Sequence, residues 1–360
     1  MVFLSLPVSV KNSHPLGYWL TPILVDAFSK QTGEGGLFCY GKLGLRTPSV
    51  EDEIVFHDNL NFLNITVERT ADSVLVHDLY TLALQACNSD HVVSRTQESF
   101  VCPCGILSIP IAIIEYTKDK AFKRVNNAIA CKACNQEAKK AWVTGLYYLI
   151  KKETAAKQIS LFPGLYSKEV AGLVRQIYDQ GIPVSRARPT GFTFEKWNLD
   201  IEFLWSLLPL TVRNVTNKRI RLVVTNQVLR QAVTAYLLAS ELDPGFQADL
   251  VICPIIAHPG KIEKWNLNRL RSLGYDGYLL RYILLSSLGW NQKETNLNDL
   301  ASSVEHRRFN LLKQLVASTG STAYEIQETM RNLNQQNLVS GLCNVFNSER
   351  FEYKTLNGLF

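Results

Sequence analysis

The chain has 360 residues, 46% of them hydrophobic and 19% charged, with a formal net charge of +6. That balance suits a globular protein of about two domains and excludes a chain disordered as a whole. The excess of positive charge tolerates a polyanionic partner without requiring one. No stretch reaches the roughly 18 apolar residues of a membrane span, because Arg281 interrupts the nearest approach, so no membrane partner and a cytoplasmic location are expected.

Residues 2–10 are apolar, lack a basic leader and a small-residue cleavage signature, and read as a buried strand. A turn through Asn12, Ser13, His14, Pro15, Leu16 and Gly17 follows, then a helix over 19–30 and a short strand over 37–40. This order is that of the first half of a parallel α/β nucleotide fold. His57 and His77 fall in ordinary connecting helices and read as structural histidines.

Cys102-Pro103-Cys104 is answered after 26 intervening residues by Cys131-Lys132-Ala133-Cys134. Two chelating thiol pairs supply what a structural tetrahedral zinc site requires, and a disulfide framework is the weaker explanation in a chain without an export signal. Lys118, Lys120, Lys123, Arg124, Lys139 and Lys140 lie nearby; they form a solvated face or a nucleic-acid contact. Cys39, Cys87, Cys253 and Cys343 have no paired spacing and read as buried apolar residues.

Further on, 220–225 and 250–256 are β-branched runs suited to burial on both faces of a parallel sheet, with a helical stretch over 227–242 between them. The parallel sheet is therefore expected to be split by the cysteine-bearing segment. His258 follows the second run, at a strand end where sites of open α/β sheets gather, or serves the turn there. From Asn296, a helix cap, the apolar positions Leu297, Leu300, Ala301, Val304, Leu311, Leu312 and Leu315 follow helical spacing. No GxxxxGK motif and no Ser/His/Asp or Cys/His nucleophile pattern occurs at a usable spacing, which removes support for P-loop ATPase and hydrolase classes.

Taken in order, several short motifs resemble the catalytic region of a class I aminoacyl-tRNA synthetase of the methionyl type. Residues 12–18, with Asp26 in the following helix, stand where that family carries its HIGH signature. Ile182-Pro183-Val184-Ser185-Arg186 resembles its ISR stretch, and Trp197-Asn198-Leu199-Asp200 its VWLDA segment. Lys261-Ile262-Glu263-Lys264-Trp265 resembles the KMSKS loop, and residues 277–285 the helix after it. The resemblance implies a Rossmann-type α/β catalytic domain split by a zinc-knuckle insertion and followed by a short helical region. The expected divisions are 1–99, the first half; 100–180, the insertion; 181–290, the second half with the KMSKS-like loop; and 291–360, the helical region. The 41 residues after Thr319 are too few for the family's anticodon-binding bundle.

The departures are specific. Pro15-Leu16-Gly17-Tyr18 replaces HIGH, so both signature histidines are missing, Gly17 is kept, and His14 lies one position early. Residues 41–48 carry neither the acid nor the histidine that the family uses to bind its amino acid and ATP. The resemblance implies that His14, Gly17 and Tyr18 contact ATP, supplied with Mg2+, and that Lys261 and Lys264 stabilise departing pyrophosphate; His258 is expected among the ATP contacts from its place at the strand end. Asp200 faces the substrate pocket or caps the next helix, and Arg186 anchors anionic groups or pairs within the fold. Zn2+ would be held by Cys102, Cys104, Cys131 and Cys134. The implied function is ATP-dependent activation of an amino acid or related carboxylic acid as an adenylate, with transfer to the tRNA acceptor end or another acyl acceptor. The alternative is a non-catalytic paralogue that binds tRNA, nucleotide or protein.

Overall fold

The structure, a computed structural model, describes residues 1–11, 13–43, 47–104, 122–125, 128–131, 134–151, 159–186, 190–257, 265–286 and 288–297. The first half contains β1 (Val2–Ser5), β2 (Val8–Ser9), α1 (Leu20–Thr32), β3 (Gly35–Gly41), α2 (Val50–Phe62), β4 (Glu68–Ala71) and α3 (Val76–Cys87). The run expected as one strand over 2–10 is two strands, since Pro7 between them has no N–H to donate to a ladder. Next come β5 (Val92–Val101), β6 (Phe122–Val125), β7 (Ala128–Cys131) and β8 (Lys139–Tyr148), then β9 (Ser160–Phe162) and α4 (Ser167–Gln180). Short strands β10 (Ile182–Pro183), β11 (Ser185–Arg186), β12 (Thr193–Phe194) and β13 (Trp197–Leu199) lead into α5 (Ile201–Ser206) and α6 (Leu208–Thr216). The second half follows with β14 (Ile220–Thr225), α7 (Leu229–Leu242), β15 (Ala248–Cys253), β16 (Ile255–Ala257), α8 (Leu267–Ser272), α9 (Gly277–Ser286) and β17 (Glu294–Asn296).

Seven of these strands form one sheet in the order β2-β3-β1-β14-β15-β9, with β4 also on β3, and every pairing is parallel. The sheet is buried on both faces, which is why its strands read as apolar runs. Along β14, Ile220, Leu222 and Val224 enter one core while Val223 enters the other; along β15, Leu250 and Ile252 oppose Val251 and Cys253. Helices α1 and α2 cover the second of these cores and α7 the first. The chain thus leaves β1 toward β3 over one face and β14 toward β15 over the other. Neighbouring strands that wind in opposite directions leave a crevice at their carboxyl ends, the usual ligand position in such sheets.

β5, most of which precedes the segment expected as the insertion, and β8 pair antiparallel over their whole length, from Val92 opposite Tyr148 to Val101 opposite Lys139. β10 adds a third strand at the base, opposite Tyr147 and Tyr148, and beyond it the β5–β8 ribbon carries the cysteines at its far end. Strand β9 returns to the parallel sheet beside β15, and Val170, Val174 and Ile177 of α4 join its first core. At the other end, β17 pairs with β16, so Asn296 closes a strand; the helix expected after it lies outside the described residues from 298 onward, as does Cys343.

A buried carboxylate ties the halves together. Asp26 of α1 is fully buried; its Oδ1 accepts from the backbone N–H groups of Thr66 at 2.8 Å and Val67 at 2.9 Å. Its Oδ2 meets Lys30 at 2.8 Å and the Arg281 guanidinium of α9 at 2.6 Å. Arg281 also donates to the Asn64 carbonyl at 3.0 Å. The residue that breaks the apolar run of α9 is therefore a buried counter-ion. Burial alone would raise the Asp26 pKa, but Arg281, Lys30 and the Thr66 hydrogen bond hold it below the ordinary carboxylate value. Because the folded pKa is depressed, its contribution to stability is complete above about pH 4 and is lost as pH falls through the folded value. Replacing Asp26 by Ala leaves Arg281 buried without its partner and is expected to cost about 3–5 kcal/mol. This appears as a lower urea midpoint at unchanged slope; a wild-type midpoint contradicts the assignment.

Candidate active site

The crevice beyond β1 and β14 is built from two segments far apart in sequence. After β2, Leu16–Trp19 forms a 3-10 turn, with Tyr18 N–H donating to the Pro15 carbonyl at 3.0 Å. Strand β16 packs against this turn. Asn266 joins the segments. Its Oδ1 accepts from the Asn268 N–H at 2.9 Å and caps α8, while its Nδ2 donates to Ser13 Oγ at 2.8 Å. Asn266 also forms a β-bridge with Pro15, and the Leu267 N–H donates to the His14 carbonyl at 3.2 Å. Residues 258–264 connect β16 to this junction and lie outside the described residues, so His258, Lys261 and Lys264 have no described positions.

His14, Gly17 and Tyr18 all lie in the junction. Gly17 sits inside the 3-10 turn, its carbonyl accepting from the Leu20 N–H. His14 is buried and stacks on Tyr18 with centroids 3.6 Å apart and rings within 6° of parallel. Its Nε2 lies 3.0 Å from the Ser9 carbonyl, and the Tyr18 hydroxyl donates to that same oxygen at 2.9 Å. A carbonyl only accepts, so Nε2 carries the proton and, in the neutral ring, Nδ1 is bare. Burial, aided by Lys11, lowers the His14 pKa to about 4 despite the Ser9 bond and Asp52. Burial also raises the Tyr18 pKa. At neutral pH the imidazole therefore keeps a lone pair at Nδ1 rather than a second N–H.

Asp200 is buried and both its oxygens are engaged. Oδ1 caps α5 by accepting from the Glu202 N–H at 2.9 Å, and Oδ2 accepts from Arg186 Nε. Burial pushes its pKa up against the opposing pull of Arg186. Capping and ion pairing within the fold thus occupy both residues; β11 and β13 pair beside them, with Arg186 opposite Asn198 and Ser185 opposite Leu199, and the Asp200 N–H donates to the Val184 carbonyl at 2.8 Å.

An acid that the motif reading passed over lies beneath the 41–43 backbone. Asp72, directly after β4, is fully buried; its Oδ1 accepts from the Lys42 N–H at 2.6 Å and the Leu43 N–H at 3.2 Å. Its Oδ2 accepts from the Trp205 indole N–H at 2.7 Å. Burial raises its pKa, opposed by these hydrogen bonds. A side chain at Gly41 would come within 3.2 Å of Trp205 and 3.6 Å of the Asp72 carboxylate, so glycine permits the close approach. An acidic residue immediately after a parallel strand is the signal that could have found Asp72, and an Asn before an amphipathic helix is the signal for Asn266.

At the end of the β5–β8 ribbon the sulfurs of Cys102, Cys104, Cys131 and Cys134 lie within 4.8 Å of one another. Cys102 and Cys134 approach to 3.1 Å, Cys104 and Cys131 to 3.6 Å. Four Zn–S bonds of about 2.3 Å in a tetrahedron require S···S edges of roughly 3.8 Å, so the donor set and its spacing fit such an ion. The turn after Cys131 is closed by the Asn135 N–H to the Cys131 carbonyl and the Cys131 N–H to the Gln136 carbonyl, both 2.9 Å, with Asn135 at φ 58°. Among the described residues the core at this end consists of Cys102, Ile129, Cys131 and Ala138, with Phe100 and Cys134 packed against it.

Three solved structures of Mycobacterium tuberculosis methionyl-tRNA synthetase superpose on the chain, each over 88% of its length. One bound by methionyl-adenylate has a TM-score of 0.58 at 9% identity over 72% of its own chain. A second complex with methionyl-adenylate gives 0.62, 12% and 71%, and the apo form 0.51, 9% and 69%. The fold is methionyl-tRNA synthetase-like. No protein-family model and no curated protein matches the sequence.

The His14 geometry has a measurable consequence. A His whose folded pKa is lowered contributes stability present above its unfolded value near 6.5 and lost as pH falls toward about 4. Heteronuclear NMR should find His14 neutral, protonated at Nε2 alone, from pH 8 down to about 5; titration near 6.5 contradicts the buried arrangement.

Proposed function

We propose that the chain is a divergent class I aminoacyl-tRNA synthetase-like protein that binds ATP and activates an amino acid or related carboxylic acid as an adenylate. The observation that carries this reading is the Asn266 junction. It joins the HIGH-like segment to the residues that flank the KMSKS-like loop, at the carboxyl ends of β1 and β14. The neighbouring structures that hold methionyl-adenylate support an aminoacyl-adenylate as the ligand class.

In this mechanism a substrate carboxylate oxygen attacks the α-phosphorus of ATP in line, a P–O bond forms, and the bond to pyrophosphate breaks. Lys261 and Lys264 neutralise the charge that accumulates on the leaving pyrophosphate. Mg2+ accompanies ATP, and the backbone at Gly17 lies close to the nucleotide. His14, bare at Nδ1, shapes the site by stacking on Tyr18, and the lysine loop carries the charge that the missing histidines do not supply. The acyl group then passes to the tRNA acceptor end or another acceptor. Cys102, Cys104, Cys131 and Cys134 would hold Zn2+, which would order the end of the ribbon in a structural rather than a catalytic role.

A second reading, a non-catalytic module for tRNA, nucleotide or protein, draws on the same junction. Ser9 occupies a nitrogen of His14 and the hydroxyl of Tyr18, and Asp72 and Asp200 are engaged by internal partners. Exchange of labelled pyrophosphate into ATP over a broad panel of amino acids separates the two. Exchange with one substrate, reduced by roughly 100-fold in Lys264→Ala with little change in substrate binding, is the expected outcome. Silence across the panel from folded, zinc-loaded protein favours the binding module.

A further inference from the structure

The ribbon that carries the cysteines has one open face. Side chains alternate along antiparallel strands, so Lys140, Trp142 and Thr144 of β8 share a face with Phe100, Glu98 and Thr96, their respective partners on β5. Trp142 is 73% exposed, and Glu98, Thr96, Thr144, Lys139 and Lys140 are exposed with it. The Thr96 and Thr144 hydroxyls bond to each other at 2.9 Å, so they flatten the surface beside the indole. An indole left in water on a flat ribbon exposes a large apolar plane at a free-energy cost that a stacked planar partner removes.

We propose that this face binds single-stranded nucleic acid, with one base stacked on Trp142, Glu98 accepting from that base's exocyclic amino group, and Lys140 neutralising an adjacent phosphate. The exposed indole plane and the basic end of the ribbon select this occupant. Lys140 lies on the face at its cysteine end, and Lys139 is exposed on the other side of the same strand end, in a protein of net charge +6, which suits a polyanion. The carboxylate beside the indole can only accept, which suits the exocyclic amino group of cytosine, adenine or guanine; uracil has no such group and offers only an N3–H flanked by two carbonyls that repel the carboxylate. This surface lies outside the crevice, and the proposal stands whether or not the crevice performs adenylate chemistry.

The test is fluorescence anisotropy of labelled octacytidylate and octauridylate with the full chain, without ATP or amino acid. Octacytidylate should bind more tightly, Trp142→Ala should weaken it about tenfold or more, and Trp142→Phe should keep most of the affinity. Glu98→Gln should narrow the difference between the two oligonucleotides. Lys140→Ala should lower the slope of log affinity against log salt by about 0.7. Because Trp142 is exposed, Trp142→Ala should keep the wild-type melting temperature. Equal affinities for wild type and Trp142→Ala, or no binding of either oligonucleotide at low salt, overturns the proposal. So does a wild-type dimer that Trp142→Ala converts to monomer without changing oligonucleotide binding, which would make the face an interface between copies.

Discussion

The pairing of β1 with β14, Val2 to Ser5 against Ile220 to Val223, is the contact on which the remaining architecture depends. It joins strands more than 200 residues apart and sets the point where the helical crossovers change face. Loop-closure cost rises only slowly with length, so once this ladder forms, the long intervening segment can be carried without dismantling the sheet. The Asp26–Arg281 pair makes the same junction from the helical side, through α1 and α9. Ladder and ion pair together hold the crevice walls, and both walls share one core, through Leu16 and Trp19 on one side and Ile256, Trp265 and Leu267 on the other.

The polar groups around that crevice are spent largely on the protein itself. Ser9 satisfies His14 and Tyr18, Asp72 holds the 42–43 backbone and the Trp205 indole, and Asp200 holds Arg186 and the start of α5. Buried carboxylates held in this way stabilise a loop or a helix start. The backbone path of residues 13–18 is fixed by Asn266 and by the Ser9 carbonyl.

Much of the frame was legible in the sequence because burial on both faces leaves a simple trace. The apolar run over 220–225 is β14, residue for residue, and the helix expected over 277–285 is α9 with one residue more. The run over 250–256 conceals a change of partner, since Ala248–Cys253 joins the main sheet and Ile255–Ala257 pairs with β17 instead. The cysteine spacing pointed directly to four sulfurs in one cluster. Less visible were groups whose roles arise from distant contacts. Asp72 meets Trp205 across 133 positions and Asn266 meets Ser13 across 253, and no local pattern encodes such pairings. The proton position on His14 was illegible for the same reason, because it depends on which carbonyl the ring faces.

The central claim is that the Asn266 junction frames a nucleotide site, and thermal unfolding of the zinc-loaded chain in increasing ATP and Mg2+ addresses it most directly. Binding to the folded state predicts a melting temperature that rises with ligand, corresponding to about 2.7 kcal/mol at a free concentration near 100 times the dissociation constant, and a smaller rise for Asn266→Ala. A melting temperature that stays constant to millimolar ATP, or an equal rise in both proteins, contradicts it.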